Sequence, residues 1–177
     1  MSCPFCAIVA KWKASTLNGP QMQSEHLPHD FLMTLVISSF MVGLTVTIHF
    51  FGLAVLIRLL RVGREDILVK RQHIARRMFI IMFAVFGLFA IHTIEIWSYA
   101  GLYHFVLGAI RDFETAVYYS TVSFVSLGYG DVVLPKRWRL IGAIEAANGV
   151  ILLGWSTAFL VTVIGRLQAL EHEWLDR

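Results

Sequence analysis

Ser123-Phe124-Val125-Ser126-Leu127-Gly128-Tyr129-Gly130-Asp131 sets two glycines around one tyrosine, with an acid directly after and a hydroxyl two places before the first glycine. Backbone carbonyls replace the water around a dehydrated cation only when successive peptide groups point the same way. That arrangement needs φ > 0 at alternating positions, which glycine reaches without steric cost. Gly128 and Gly130 are placed to supply it. Tyr129 is expected to point away from the lumen and brace the strand, while the Ser126 hydroxyl adds a side-chain oxygen at the inner end. The chemistry is coordination of a cation by a ladder of oxygens. A Gly-x-Gly alone marks only a turn, so the weight rests on the elements that must hold it.

Those elements are membrane helices. The chain has 177 residues, 57% hydrophobic and 15% charged, with a mean hydropathy of +0.67, far from the composition of a soluble domain. Three apolar stretches exceed the ~20 residues a helix needs to cross a bilayer: Phe31 to Ile57, Met78 to Ala100 and Leu140 to Ile164. A fourth, Phe113 to Val125, is too short to span and leads into the glycine segment. Irregular backbone survives at membrane depth only when buried in protein or lining a water-filled path. Spanning helix, short re-entrant helix, glycine-rich strand and second spanning helix together read as a pore loop.

Residues Ser120-Thr121-Val122-Ser123-Phe124-Val125-Ser126-Leu127-Gly128-Tyr129-Gly130-Asp131 resemble the pore helix and selectivity filter of the potassium channel family, which usually reads Thr-Val-Gly-Tyr-Gly-Asp. The resemblance covers Met78 to Arg166, about half the chain, and suits a bacterial-type channel with two transmembrane helices, one pore loop and an extra N-terminal helix. It implies an all-α membrane protein assembled as a homotetramer that conducts K⁺ passively. It also implies K⁺ sites at Ser126, Leu127, Gly128 and Tyr129, with Gly130 and Asp131 closing the outer mouth. Ser126 replaces threonine but keeps the oxygen, and Leu127 replaces valine where only the carbonyl is needed. Val122 stands where some bacterial members carry a glutamate behind the filter. Tyr119 falls where many members place a tryptophan that donates to the filter aspartate, so it is the expected donor to Asp131, with Tyr118 and Arg137 next. Tyr119, Val122 and Ser123 are thus expected to support the filter. Gly149 and Gly154 fall where the family often places its inner-helix hinge. Below the filter Val150, Leu153, Thr157 and Val161, spaced three or four apart, are expected on the cavity wall.

The expected division is a tail over 1–30, an extra helix over 31–62, a basic loop over 63–77, a pore domain over 78–166 and a tail over 167–177. Within the pore domain the outer helix takes 78–104, the pore helix 113–125, the filter 126–131 and the inner helix 138–166. Seven of the fifteen Lys and Arg residues (Arg58, Arg61, Arg64, Lys70, Arg71, Arg76 and Arg77) flank the first connection. A short loop so basic stays cytoplasmic, which puts the N-terminus outside and the C-terminus inside a cell membrane, for this type of channel the bacterial inner membrane. Lys136, Arg137 and Arg139 pull the other way. Arg58, Arg61 and Arg64 have the spacing of a voltage sensor, but they follow a complete span and read as its flank. Thr45, Thr47 and His49 give the extra helix a polar stripe suited to contact with protein.

Four polar side chains inside the second and third spans call for an explanation: His92 and Glu95 on the second helix, Glu145 and Asn148 on the third. Each pair is spaced i, i+3 and shares a helix face. At ~1.5 Å per residue Glu145 sits about 10 Å below Trp138, level with the pore helix. Two readings stand: a hydrogen-bonded scaffold for the pore loop, or a pH-sensitive support, because histidine titrates near neutral pH and an intramembrane acid marks function. Ion binding by Glu145 is a third. Cys3 and Cys6 form a Cys-x-x-Cys pair that could bind metal with His26 and His29 or form a disulfide; residues 1–30 lack a signal-peptide core. The sequence carries no phosphate-binding loop, catalytic triad or nucleic-acid motif, and its last ten residues no nucleotide- or calcium-binding module. The expectation is therefore a non-enzyme with no cofactor, K⁺ as permeant ion, and lipid and its own copies as partners. The rival readings are a weakly selective cation channel and a non-conducting regulatory or redox-sensing subunit.

Overall fold

The computed structural model describes residues 28–65 and 73–175. The tail with Cys3, Cys6, His26 and His29 lies outside them, as do Lys70 and Arg71. The described residues are helical and contain no strand: α1 (Pro28–Glu65), α2 (His73–Gly101), a π-helical turn (Leu102–Val106), α3 (Phe113–Phe124), a 3₁₀ turn (Lys136–Trp138) and α4 (Arg139–Leu175). Three helical stretches are long and apolar enough to cross a membrane: Phe31–Arg61, Met78–Val106 and Lys136–Arg166. The protein is an all-α, multi-pass membrane protein. Over the 18-residue apolar window of each, only 22% to 28% is buried, so most of that apolar surface is left for lipid or for further subunits. The connection expected over 63–77 is shorter than a loop of that length, because α1 runs to Glu65 and α2 begins at His73.

α1 packs against α2 and α4 of its own chain. Its buried stripe is Thr34, Ser38, Met41, Thr45, His49, Leu53 and Leu56, spaced three or four apart so that one face turns inward. Thr47 is not part of that stripe; it is exposed and donates to the Gly43 carbonyl of its own helix (2.7 Å). Two residues from Thr45 is about 200° around a helix, which takes it to the opposite face. The lower part of the α1–α2 contact closes by reciprocal small-against-large packing: Gly52 lies under Ile91 and Gly87 under Leu56, the close approach that small residues permit between membrane helices.

α2 does not end in an ordinary turn. Leu107 N–H donates to Leu102 O (2.9 Å) and Ala109 N–H to Tyr103 O (2.9 Å), widening the last turn and leaving Tyr103 fully buried. Tyr99, Tyr103, Ile110, Ala116, Leu134 and Ile141 form the core that fixes α3 between α2 and α4.

Candidate functional site

The glycine-rich strand is anchored to the end of α3. Asp112 caps the helix start, accepting from Thr115 N–H (2.8 Å) and from its hydroxyl (2.8 Å). Those bonds hold the Asp112 carboxyl below its ordinary range. At the other end Ser126 N–H donates to Ser123 O (2.9 Å), and Leu127 N–H (2.9 Å) and Gly128 N–H (3.4 Å) both donate to Val122 O. Val122 and Ser123 therefore hold the strand through their backbone carbonyls. Beyond this hook φ is positive at every second residue: +58° at Ser126, +58° at Gly128 and +77° at Gly130. The sequence pointed to the two glycines and missed Ser126, the only non-glycine with positive φ among the described residues. Its hydroxyl lies 3.4 Å from Ala146 O on α4. The side chains of Leu127 and Tyr129 are exposed, uncovered by any of the described elements.

At the outer end the donor to Asp131 is Tyr118 and not Tyr119. Tyr118 O–H donates to Asp131 Oδ2 (2.7 Å), and Val132 N–H to Oδ1 (3.0 Å). The Tyr118 hydroxyl and that amide outweigh partial desolvation and hold the Asp131 carboxyl below its ordinary range. One residue along a helix is ~100° of rotation, enough to exchange a filter-facing position for one facing α4. Tyr119 accordingly turns its hydroxyl against Gly142 and stacks edge-on to Tyr103 (5.3 Å between ring centres). Arg137 makes no contact with Asp131; its guanidinium lies over its neighbour Trp138 (4.2 Å). A cavity of about 180 Å³ separates α3 from the filter strand, lined by Tyr118, Val122, Gly128, Gly130 and Asp131 among others.

Glu145 is the polar centre behind the pore helix. It is fully buried and accepts from Ser120 O–H at 2.5 Å through Oε1 and from Tyr103 O–H at 2.6 Å through Oε2. Ser120 Oγ also lies 2.9 Å from Ile96 O, so one hydroxyl joins α3 to both neighbouring helices. The π turn is what brings Tyr103 to this carboxyl, a contact between residues 42 apart in sequence. Hydroxyls thus take both carboxyl oxygens of Glu145.

Residues 91–166 match the family described as ion channel. No curated protein and no solved structure matches the chain. The matched stretch takes in the end of α2, the pore helix, the glycine strand and α4 as far as Arg166, and leaves out α1.

Along α4 the structure departs from one expectation. Gly149 is buried and lies against the end of α3: a Cβ there would sit 2.0 Å from the Phe124 carbonyl oxygen. Close backbone approach is what requires glycine at 149, so this residue packs behind the pore helix rather than lining a cavity. Gly154 is exposed with nothing near it. Val150, Thr157 and Val161 are exposed and Leu153 is half-buried, on a side of α4 that the other described elements leave uncovered.

The remaining polar groups tie α1 to the pore domain. Asn148 donates to Thr45 Oγ1 (2.8 Å). Glu95 bridges two histidines, with His49 Nδ1 2.9 Å from Oε1 and His92 Nδ1 2.8 Å from Oε2; His92 Nε2 lies 2.9 Å from Ser156 Oγ on α4. The sequence brought His92 and Glu95 together but not His49 and Ser156. A sequence distance of 46 residues separates His49 from Glu95, and the one available signal was the polar stripe of α1.

Proposed function

We propose that the chain is a potassium-selective channel that conducts K⁺ passively through a homotetrameric pore. The observation that carries this reading is the alternation of positive φ at Ser126, Gly128 and Gly130. Alternating handedness is what turns successive carbonyls to one side of a strand, and four such strands around an axis would enclose a dehydrated K⁺. The carbonyls of Ser126, Leu127, Gly128 and Tyr129 form the successive sites, with the Ser126 hydroxyl at the cavity end. The C-terminal end of α3 supports cation entry, because a helix carries about half a negative charge there. One chain supplies one strand, and closed rotational symmetry is the usual arrangement for identical subunits. The uncovered Leu127 and Tyr129 side chains and the open face of α4 suit such an assembly.

In the tetramer Val150, Leu153, Thr157 and Val161 face the cavity, with Gly154 and Ala158 allowing inner helices to approach. The basic flank of α1 keeps the first connection cytoplasmic, placing the N-terminus outside the cell membrane and the filter mouth with it. Flux from purified protein in liposomes tests the reading: K⁺ efflux with no Na⁺ flux is expected. Equal flux of both ions indicates a weakly selective cation channel, and no flux indicates a non-conducting subunit.

A further inference from the structure

We propose that His49, His92 and Glu95 form a binding site for a divalent transition cation of the zinc class, pinning the extra helix α1 onto the pore domain. The three residues come from α1 and α2, with α4 contributing Ser156 behind them. Their ligand atoms lie within 4.8 Å of one another, and the side chains of His49 and Glu95 are fully buried while that of His92 is 12% exposed. Two imidazoles and one carboxylate are a donor set for zinc and its neighbours, whereas calcium and magnesium need more oxygens than one carboxylate provides.

The spacing is close to what a metal needs. Zinc holds nitrogen at ~2.0–2.1 Å and oxygen at a similar distance, so tetrahedral ligands stand about 3.3 Å apart. His49 Nδ1 and His92 Nδ1 stand 2.9 Å and 2.8 Å from the two oxygens of Glu95, so the triad opens by about half an ångström to admit the ion. Three protein ligands leave a fourth position for water. On binding, each imidazole presents its Nδ1 lone pair and keeps one proton on Nε2; the proton that faces Glu95 from each Nδ1 in the metal-free site moves to Nε2 or, from an imidazolium, leaves to solvent.

Two further observations fit a bound metal. Ligating histidines use the second ring nitrogen to fix their orientation, and His92 Nε2 already stands 2.9 Å from Ser156 Oγ, which would accept from the Nε2–H that a metal at Nδ1 requires. His49 Nε2 is buried with no hydrogen-bond partner, and the imidazole packs beside the Trp155 ring at 5.2 Å. Metal at Nδ1 would put the imidazole proton on Nε2, so that nitrogen would no longer be a buried lone pair with no donor. The site needs no particular permeant ion and stands apart from potassium selectivity.

The test uses full-length protein carrying Cys3→Ser and Cys6→Ser, since those thiols are metal ligands by type. Co²⁺ is titrated while visible absorption is recorded, followed by competition with Zn²⁺ and with Ca²⁺. The expected result is a four-coordinate Co²⁺ spectrum saturating at one ion per chain, displaced by Zn²⁺ and not by Ca²⁺. His49→Gln and Glu95→Gln should each abolish it, Ser156→Ala should weaken binding by roughly 10–100-fold, and Zn²⁺ should raise the melting temperature of the parent but not of His49→Gln. Helical circular dichroism identifies any variant that fails to fold. A parent protein that binds no Co²⁺, or a spectrum that survives in a folded His49→Gln or Glu95→Gln variant, overturns the proposal.

Discussion

Replacing Gly149 by alanine puts a methyl where the pore helix ends. The added Cβ would stand 2.0 Å from the Phe124 carbonyl oxygen, 2.8 Å from its carbon and 3.1 Å from its Cα, whereas ordinary contact begins at 3.4 Å. The two backbones must part by about 1.4 Å. No side-chain rotation relieves this, because every atom struck is main chain. Alanine in place of a helical glycine contributes about 1 kcal/mol of helix propensity, and overpacking a well-filled contact costs ~1–3 kcal/mol or more. The net is destabilising, and its geometric effect falls where α3 hands over to the filter, two residues before Ser126. Gly149→Ala is therefore expected to lower the thermal midpoint of the purified protein, followed by tryptophan fluorescence, and to reduce K⁺ flux in liposomes. Gly43→Ala on α1 is the control, since nothing lies within 4 Å of its added Cβ. A Gly149→Ala protein as stable as the parent and carrying the same flux would refute the close contact with Phe124.

Tyr118→Phe removes the hydroxyl that donates to Asp131 and is expected to change the time course of current decay while leaving K⁺ over Na⁺ preference intact; Tyr119→Phe altering decay more than Tyr118→Phe would contradict the assignment. The same bond sets a pH dependence. The folded Asp131 carboxyl is depressed, so its contribution is present above the ordinary carboxylate value of about 3.9 and is lost as pH falls through the lower folded value. Decay kinetics due to this contact should be flat between roughly pH 5 and 8, and a midpoint near neutrality that Asp131→Asn removes would count against it. Tyr103→Phe leaves Glu145 Oε2 without its donor in a buried site and should cost about 1–3 kcal/mol, read as a lowered melting temperature; no change would mean the π turn does not serve that contact. Gly128→Ala forces a side chain into the left-handed region at about 1–2 kcal/mol per subunit and should abolish selective flux, which single-channel recording would detect.

What the sequence made legible was local. Three spans, a short pore helix and a glycine strand follow from apolar runs and glycine spacing, which need no tertiary information. The positive φ at Ser126 was not legible, because the residue type argues against it and only the hook of Leu127 N–H onto Val122 O imposes it. The donor to Asp131 was misplaced by one residue, since resemblance gives position along a helix but not its rotation against the filter. The π turn at Leu102–Val106 leaves no mark in composition; it is read only from where Leu107 and Ala109 send their N–H groups. Glu145 was placed at the right depth, yet its partner Tyr103 depends on that turn. The polar stripe of α1 was visible in Thr45 and His49. What it faces, Asn148 and Glu95, required the helices to be packed.

The proposed function rests on selectivity for K⁺ along the segment from Ser126 to Asp131. The most direct measurement is the reversal potential of the purified protein in a planar bilayer with K⁺ on one side and Na⁺ on the other. A reversal potential that follows the K⁺ gradient as Na⁺ is varied is the expected result. A reversal potential near zero under those opposed gradients, the mark of near-equal permeability, would contradict it.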